Sequence, residues 1–133
     1  MTIELWILIA SCGLALFMSS VPMFRAMRTE WGLKAMIGNR EGLSPLTGWG
    51  GRLVRAHHNL MDNLLLFGFV VLTAHVIGIS NEVTVLGAQV FLVCRLVHAL
   101  VYTIGLSVVR TVAYLGGAIG TIMIVSQFFG AFL

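Results

Sequence analysis

Arginine, histidine, asparagine and aspartate meet in one short stretch of this chain, and together they could hold a small charged molecule. Between Gly51 and Asn63 the sequence reads GRLVRAHHNLMDN, followed at once by an apolar run from Leu64 to Leu72. On a helix, Arg55, Asn59 and Asp62 are spaced i, i+4, i+7 and share a face, with His58 nearly on the same side. A second set, Arg95, His98 and Tyr102, is spaced i, i+3, i+7, and Arg110 follows shortly after. Guanidinium groups suit carboxylates, an acid suits an ammonium, and an asparagine suits amides. The ligand implied is small, zwitterionic and rich in carboxylates, held in a polar cleft between helices. An apolar second substrate would arrive from the bilayer.

That reading depends on where the helices lie. The chain has 133 residues, 59% of them hydrophobic and only 10% charged, with a mean hydropathy of +0.99. Such a composition excludes an ordinary soluble domain and fits one integral membrane domain. Four spans are expected, at about 3–24, 56–77, 83–104 and 111–132, each near the 20 residues that cross a bilayer core of about 30 Å. The fold class is therefore an all-α, four-helix membrane bundle. Pro22 interrupts the first span late, and Gly116, Gly117 and Gly120 allow the fourth to pack closely. Inside a span each ionisable group costs about 2.5–3.5 kcal/mol, so it is a functional candidate by default. Arg95 falls near mid-span and is expected to pair with Asp62 or another acid. Arg52 and Arg55 have a simpler explanation as snorkelling anchors of a helix end, and Tyr102 alone could be an aromatic-belt residue.

The net charge of +3 and pI near 9.4 do not indicate nucleic acid. Six of the eight basic residues (Arg25, Arg28, Lys34, Arg40, Arg52 and Arg55) lie in one stretch, 25–55. The positive-inside rule puts that stretch in the cytoplasm and both termini outside. Its first part, with Met27, Trp31 and Ala35 at i, i+4, i+8, reads as continuing helix up to Gly38. Gly42, Pro45, Gly48, Gly50 and Gly51 then read as an irregular connection without the G-K-[ST] ending of a phosphate loop. The N-terminal segment carries Glu4 and no convincing cleavage site, so it is expected to stay as an anchor. Cys12 and Cys94 are both mid-span and read as small buried residues with neither a disulfide nor a metal role.

R-A-H-H-N-L-M-D-N, residues 55–63, resembles the R-A-x-x-N-x-x-E signature of the MAPEG family, the membrane-associated proteins in eicosanoid and glutathione metabolism. R-L-V-H-A-L-V-Y, Arg95 to Tyr102, resembles that family's motif in the third span. Arg110 stands near the arginine that opens its fourth span. The resemblance covers essentially the whole chain and is closest in kind to a divergent or bacterial microsomal glutathione transferase. Two departures are visible: Asp62 replaces the usual Glu, and Asn63 stands where some members carry an aromatic residue.

The resemblance implies a homotrimer with glutathione, as co-substrate, bound between neighbouring subunits near the cytoplasmic face. By position Arg55, Asn59 and Asp62 hold its backbone and charged ends, with Tyr102 beside it. Arg110 stabilises the thiolate, and either Arg25 or Arg28 reaches in from the end of the first span. His58, Arg95 and His98 complete the polar lining. His57, turned about 200° from Arg55 around the helix, is expected to serve the neighbouring subunit's site, the alternative being a histidine that snorkels at the membrane interface. The expected activity is transfer of glutathione to apolar electrophiles, reduction of lipid hydroperoxides, or both. Either requires lowering a thiol pKa from about 8.5 by about two units, or roughly 2.7 kcal/mol. Two other classes fit parts of the pattern. A small four-span exporter could use Asp62 as its proton-coupled acid, and a non-catalytic scaffold could use the polar faces to lock helices together.

Overall fold

The structure is a computed structural model and describes residues 1–29, 32, 37–39 and 41–131. Four helices account for nearly all of them: α1 (Ile3–Thr29), α2 (Gly48–Val76), α3 (Glu82–Ile104) and α4 (Ser107–Ala131). Each is long and apolar enough to cross a membrane. Even the shortest, with 23 residues, spans roughly 35 Å at 1.5 Å per residue. The chain is an all-α, integral, multi-pass membrane protein.

The helix ends follow local chemistry, and two of them, the starts of α2 and α4, differ from the sequence-based expectation. α1 runs through Pro22 to Thr29. A proline removes one backbone bond, and a transmembrane helix tolerates this where its neighbours pack around the site. Met18, whose carbonyl loses that partner, is buried, as is Ala26 beyond the proline. Met27 belongs to this helix, whereas Trp31, Ala35, Lys34 and Arg40 lie outside the described residues.

α2 begins at Gly48, eight residues earlier than expected, so Gly48, Gly50 and Gly51 form its first turn. Glycine in a helix costs up to about 1 kcal/mol relative to alanine. Here a side chain would cost more: a Cβ on Gly51 would lie 2.1 Å from the Leu46 carbonyl oxygen, and one on Gly50 would lie 2.8 Å from an Arg25 nitrogen. The loop before α2 thus folds back onto the helix start, and glycine makes room for it.

α3 is closed at both ends. Asn81 accepts bonds from the amides of Val83 and Thr84, and its own N–H donates to Thr84 Oγ1 at 2.8 Å. This reciprocal capping box satisfies donors that the first turn leaves free. At the other end Gly105 adopts φ 98°, the left-handed conformation that favours glycine. α4 then starts at Ser107, which puts Arg110 in its first turn rather than in the connecting turn.

α2 and α3 form the middle of the bundle, and the α3–α4 pairing is the most extensive contact. Gly87 and Gly120 face one another there. A Cβ on Gly87 would lie 2.6 Å from the Gly120 oxygen, and one on Gly120 would lie 2.5 Å from the Gly87 oxygen. Backbone against backbone is the close approach that small residues permit in membranes. Between α2 and α3, Phe67 and Phe91 stack with centroids 3.8 Å apart, both fully buried. α1 and α3 meet at the end opposite the long loop. There the buried Glu4 carboxylate accepts bonds from the hydroxyls of Thr84 and Ser80.

The two cysteines correct the sequence reading. Cys12 is exposed on α1 and Cys94 is half-buried, and both are free thiols. An apolar mid-span position does not imply burial in protein, because the lipid-facing side of a span is apolar too.

Candidate functional site

Arg95 is the centre of the polar interior, with a relative exposure of 1%. Its terminal nitrogens donate to Asn59 Oδ1 at 3.1 Å and Asn63 Oδ1 at 3.1 Å, both on α2, and to the Tyr114 carbonyl on α4 at 3.4 Å. The Asn63 amide nitrogen donates in turn to the Asn59 carbonyl at 2.8 Å, which orients Asn63 Oδ1 toward the guanidinium. The Phe91 and Tyr114 rings lie 5.2 and 5.4 Å from the guanidinium carbon. Gly117 clears the space, since a Cβ there would lie 2.6–2.9 Å from the guanidinium.

Asp62 is therefore not the partner of Arg95. It is exposed on α2. Helix geometry explains the difference: relative to Asn59, Asn63 is turned about 40° one way and Asp62 about 60° the other. Arg95 lies on the Asn63 side. No carboxylate reaches it among the described residues, and its Nε–H is buried without a partner there. Neutral oxygens and ring faces carry the compensation, each ring contributing up to about 2 kcal/mol when dry.

From Arg95 a file of side chains runs along α3 toward the end of the bundle that carries the long loop. His98 is buried, and its ring meets the Tyr102 ring edge-on at 5.4 Å. Tyr102 is half-buried, and the Arg110 guanidinium crosses over from α4 to lie 4.5 Å above the ring. Arg95, His98, Tyr102 and Arg110 are thus brought together, with Asn59 behind them.

The remaining candidates lie elsewhere. Arg55 and His58 are exposed and border a recess of about 300 Å³ beneath Pro45 and Leu46. His57 is half-buried on the other side of α2, where it faces α1 across a cleft of about 230 Å³ shared with Met18 and Met23. Arg25 lies over the Trp49 ring at 5.0 Å, and Arg28 is exposed.

Three contributors were not legible as site residues in the sequence. Asn63 was visible only as a departure from a motif, although its i, i+4 spacing from Asn59 is the signal. Tyr114 acts through its carbonyl and ring, for which no motif exists. Arg52 donates its Nε–H to the Thr103 carbonyl at 2.7 Å, tying α2 to the last turn of α3.

Comparison with known proteins gives one result at family level: the model of the MAPEG family matches residues 5–130. A search of curated proteins found no match.

Proposed function

Because the chain belongs to the MAPEG family, we propose that it is a glutathione-dependent membrane enzyme acting on apolar electrophiles, on lipid hydroperoxides, or on both. The observation that carries this reading is the file Arg95–His98–Tyr102–Arg110, which ends with a guanidinium held over a tyrosine ring. A fixed cation at the start of a membrane helix, over a half-buried tyrosine, is the device a thiolate needs. Supplying roughly 2.7 kcal/mol of preferential stabilisation lowers a thiol pKa by about two units. The thiolate sulfur then forms a bond to the electrophilic carbon, and the displaced halide leaves with the electron pair.

The ligand-holding groups are Arg55, His58 and Asp62 on the exposed side of α2 and Asn59 behind them. Arg55 would take a carboxylate, Asp62 an ammonium, and the Asn59 amide nitrogen a carbonyl. Asn59 Oδ1 and the Arg95 guanidinium hold one another, so Arg95 sets the position of Asn59 and adds positive potential from within. The exposure of these charged groups in a span supports an oligomer, which the family resemblance makes a homotrimer, in which a neighbouring subunit covers them and completes the site. His57 faces α1 of its own subunit, so its assignment to the adjoining subunit's site requires that subunit to enter the same cleft. The basic end then faces the cytoplasm and both termini lie outside.

Purified protein in detergent should conjugate glutathione to an aryl halide, and Arg55→Ala should raise the glutathione KM more than it lowers kcat. No conjugation with any thiol, from protein that remains folded, would defeat the proposal.

A further inference from the structure

A second cleft lies apart from the polar file, on the face where α1, α2 and α3 meet. It has a volume of about 360 Å³ and is almost wholly apolar, walled by Leu14, Phe17 and Val21 of α1, Leu53 of α2, and Leu96 and Leu100 of α3. No Asp or Glu lines it. Leu14 to Val21 is two turns of helix, so the cleft extends roughly 10 Å along the bundle axis. One end lies in the middle of the spans. The other reaches Trp49 in the first turn of α2 and Thr103 in the last turn of α3.

The chemistry changes at that second end. The Thr103 carbonyl accepts the Arg52 Nε–H, and the Arg25 guanidinium lies 5.0 Å over the Trp49 ring. The Arg52 guanidinium and an indole thus stand at the rim of an apolar slot that opens sideways from a membrane helix bundle. An arginine has five N–H donors in a fork that matches phosphate, and the Thr103 carbonyl takes one of those of Arg52. Indole belongs at the depth where lipid headgroups meet hydrocarbon.

We propose that this cleft is a binding site for an anionic phospholipid, with one acyl chain in the slot and the headgroup phosphate against Arg52. The lipid is in the bilayer already, its chain is as apolar as the lining, and its negative charge matches the rim. Binding there would fix the α1–α2–α3 corner at the end of the bundle where the Arg110–Tyr102 pair sits. The site is independent of glutathione and stands or falls separately from the proposed activity.

A variant with Trp6→Phe and Trp31→Phe retains Trp49 as its only indole. In liposomes of phosphatidylcholine, phosphatidylglycerol with brominated chains is compared with phosphatidylcholine carrying the same brominated chains, and Trp49 quenching is followed. The phosphatidylglycerol should reach half-quenching at a mole fraction at least about fivefold lower, the effect expected of one guanidinium. Arg52→Gln should remove that preference and Arg52→Lys should keep most of it. In the parent variant, raising the salt should weaken the preference for phosphatidylglycerol without changing quenching by phosphatidylcholine, a readout that needs no change at Arg52. Equal quenching by the two lipids, a preference that ignores salt or survives Arg52→Gln, or no quenching by either (a second copy of the chain covering the slot) would each overturn the proposal.

Discussion

The guanidinium carbon of Arg110, in the first turn of α4, lies 4.5 Å over the centre of the Tyr102 ring on α3. The contact uses the ring face, so the hydroxyl is free for another task. Tyr102→Phe should leave Arg110 in place, whereas Tyr102→Leu should release it. If Arg110 stabilises the thiolate, Arg110→Leu lowers turnover with an aryl halide by at least about tenfold, or 1.4 kcal/mol. Tyr102→Leu should lower it by a similar factor and Tyr102→Phe by much less. Equal rates for the wild type and Arg110→Leu would remove Arg110 from the chemistry.

Arg95 depends on amide oxygens rather than on a carboxylate. Asn63→Leu takes away one of its three acceptors and should cost about 1–3 kcal/mol, the penalty for a buried donor left unmade. Arg95→Met combined with Asn63→Leu should cost less than the sum of the two single changes, because the leucine then leaves no stranded charge. Thermal unfolding of the three variants in one detergent measures this coupling.

Gly117 is predicted to tolerate no side chain. Even alanine would place a Cβ 2.6 Å from the nearest Arg95 nitrogen, and the arginine is confined by Phe91, Tyr114 and two asparagines. Gly117→Ala should destabilise by about 1–3 kcal/mol, as overpacking of a tight core does. Gly130, near the end of α4, is the control: a Cβ there would meet nothing within 4 Å, and alanine should be accepted without loss.

Membrane topology can be tested separately. Cysteines replacing Glu41, in the loop before α2, and Ile77, at its C-terminal end, both exposed, are placed in a variant lacking Cys12 and Cys94. A membrane-impermeant maleimide should label them from opposite sides, with Glu41→Cys reached from the cytoplasm. Labelling of both from one side would overturn the proposed orientation.

Much of the architecture was legible because hydrophobic runs of span length have few alternatives in a bilayer. The α3 boundaries were nearly right, since Asn81 and Gly105 are strong end signals. The start of α2 was missed because Gly48, Gly50 and Gly51 carry the composition of a loop. Glycine in that turn leaves room for the Leu46 carbonyl and the Arg25 side chain, a need that composition does not reveal. The polar file on α3 was visible as a shared helical face. The pairing of Arg95 was not, because Asp62 and Asn63 are adjacent in sequence and only the rotation of α2 in the bundle decides which one turns inward. For Cys12, hydropathy does not distinguish the lipid-facing side of a span from its protein-facing side.

The central claim is that this protein binds glutathione and holds it as a thiolate. Titrating the purified protein with glutathione near neutral pH, with calorimetry for binding and ultraviolet thiolate absorbance for ionisation, tests both parts together. A saturable heat with a matching rise in thiolate absorbance is expected, and in Arg110→Leu the heat should persist while the absorbance is largely lost. Neither heat nor thiolate signal from the folded wild-type protein would contradict the account.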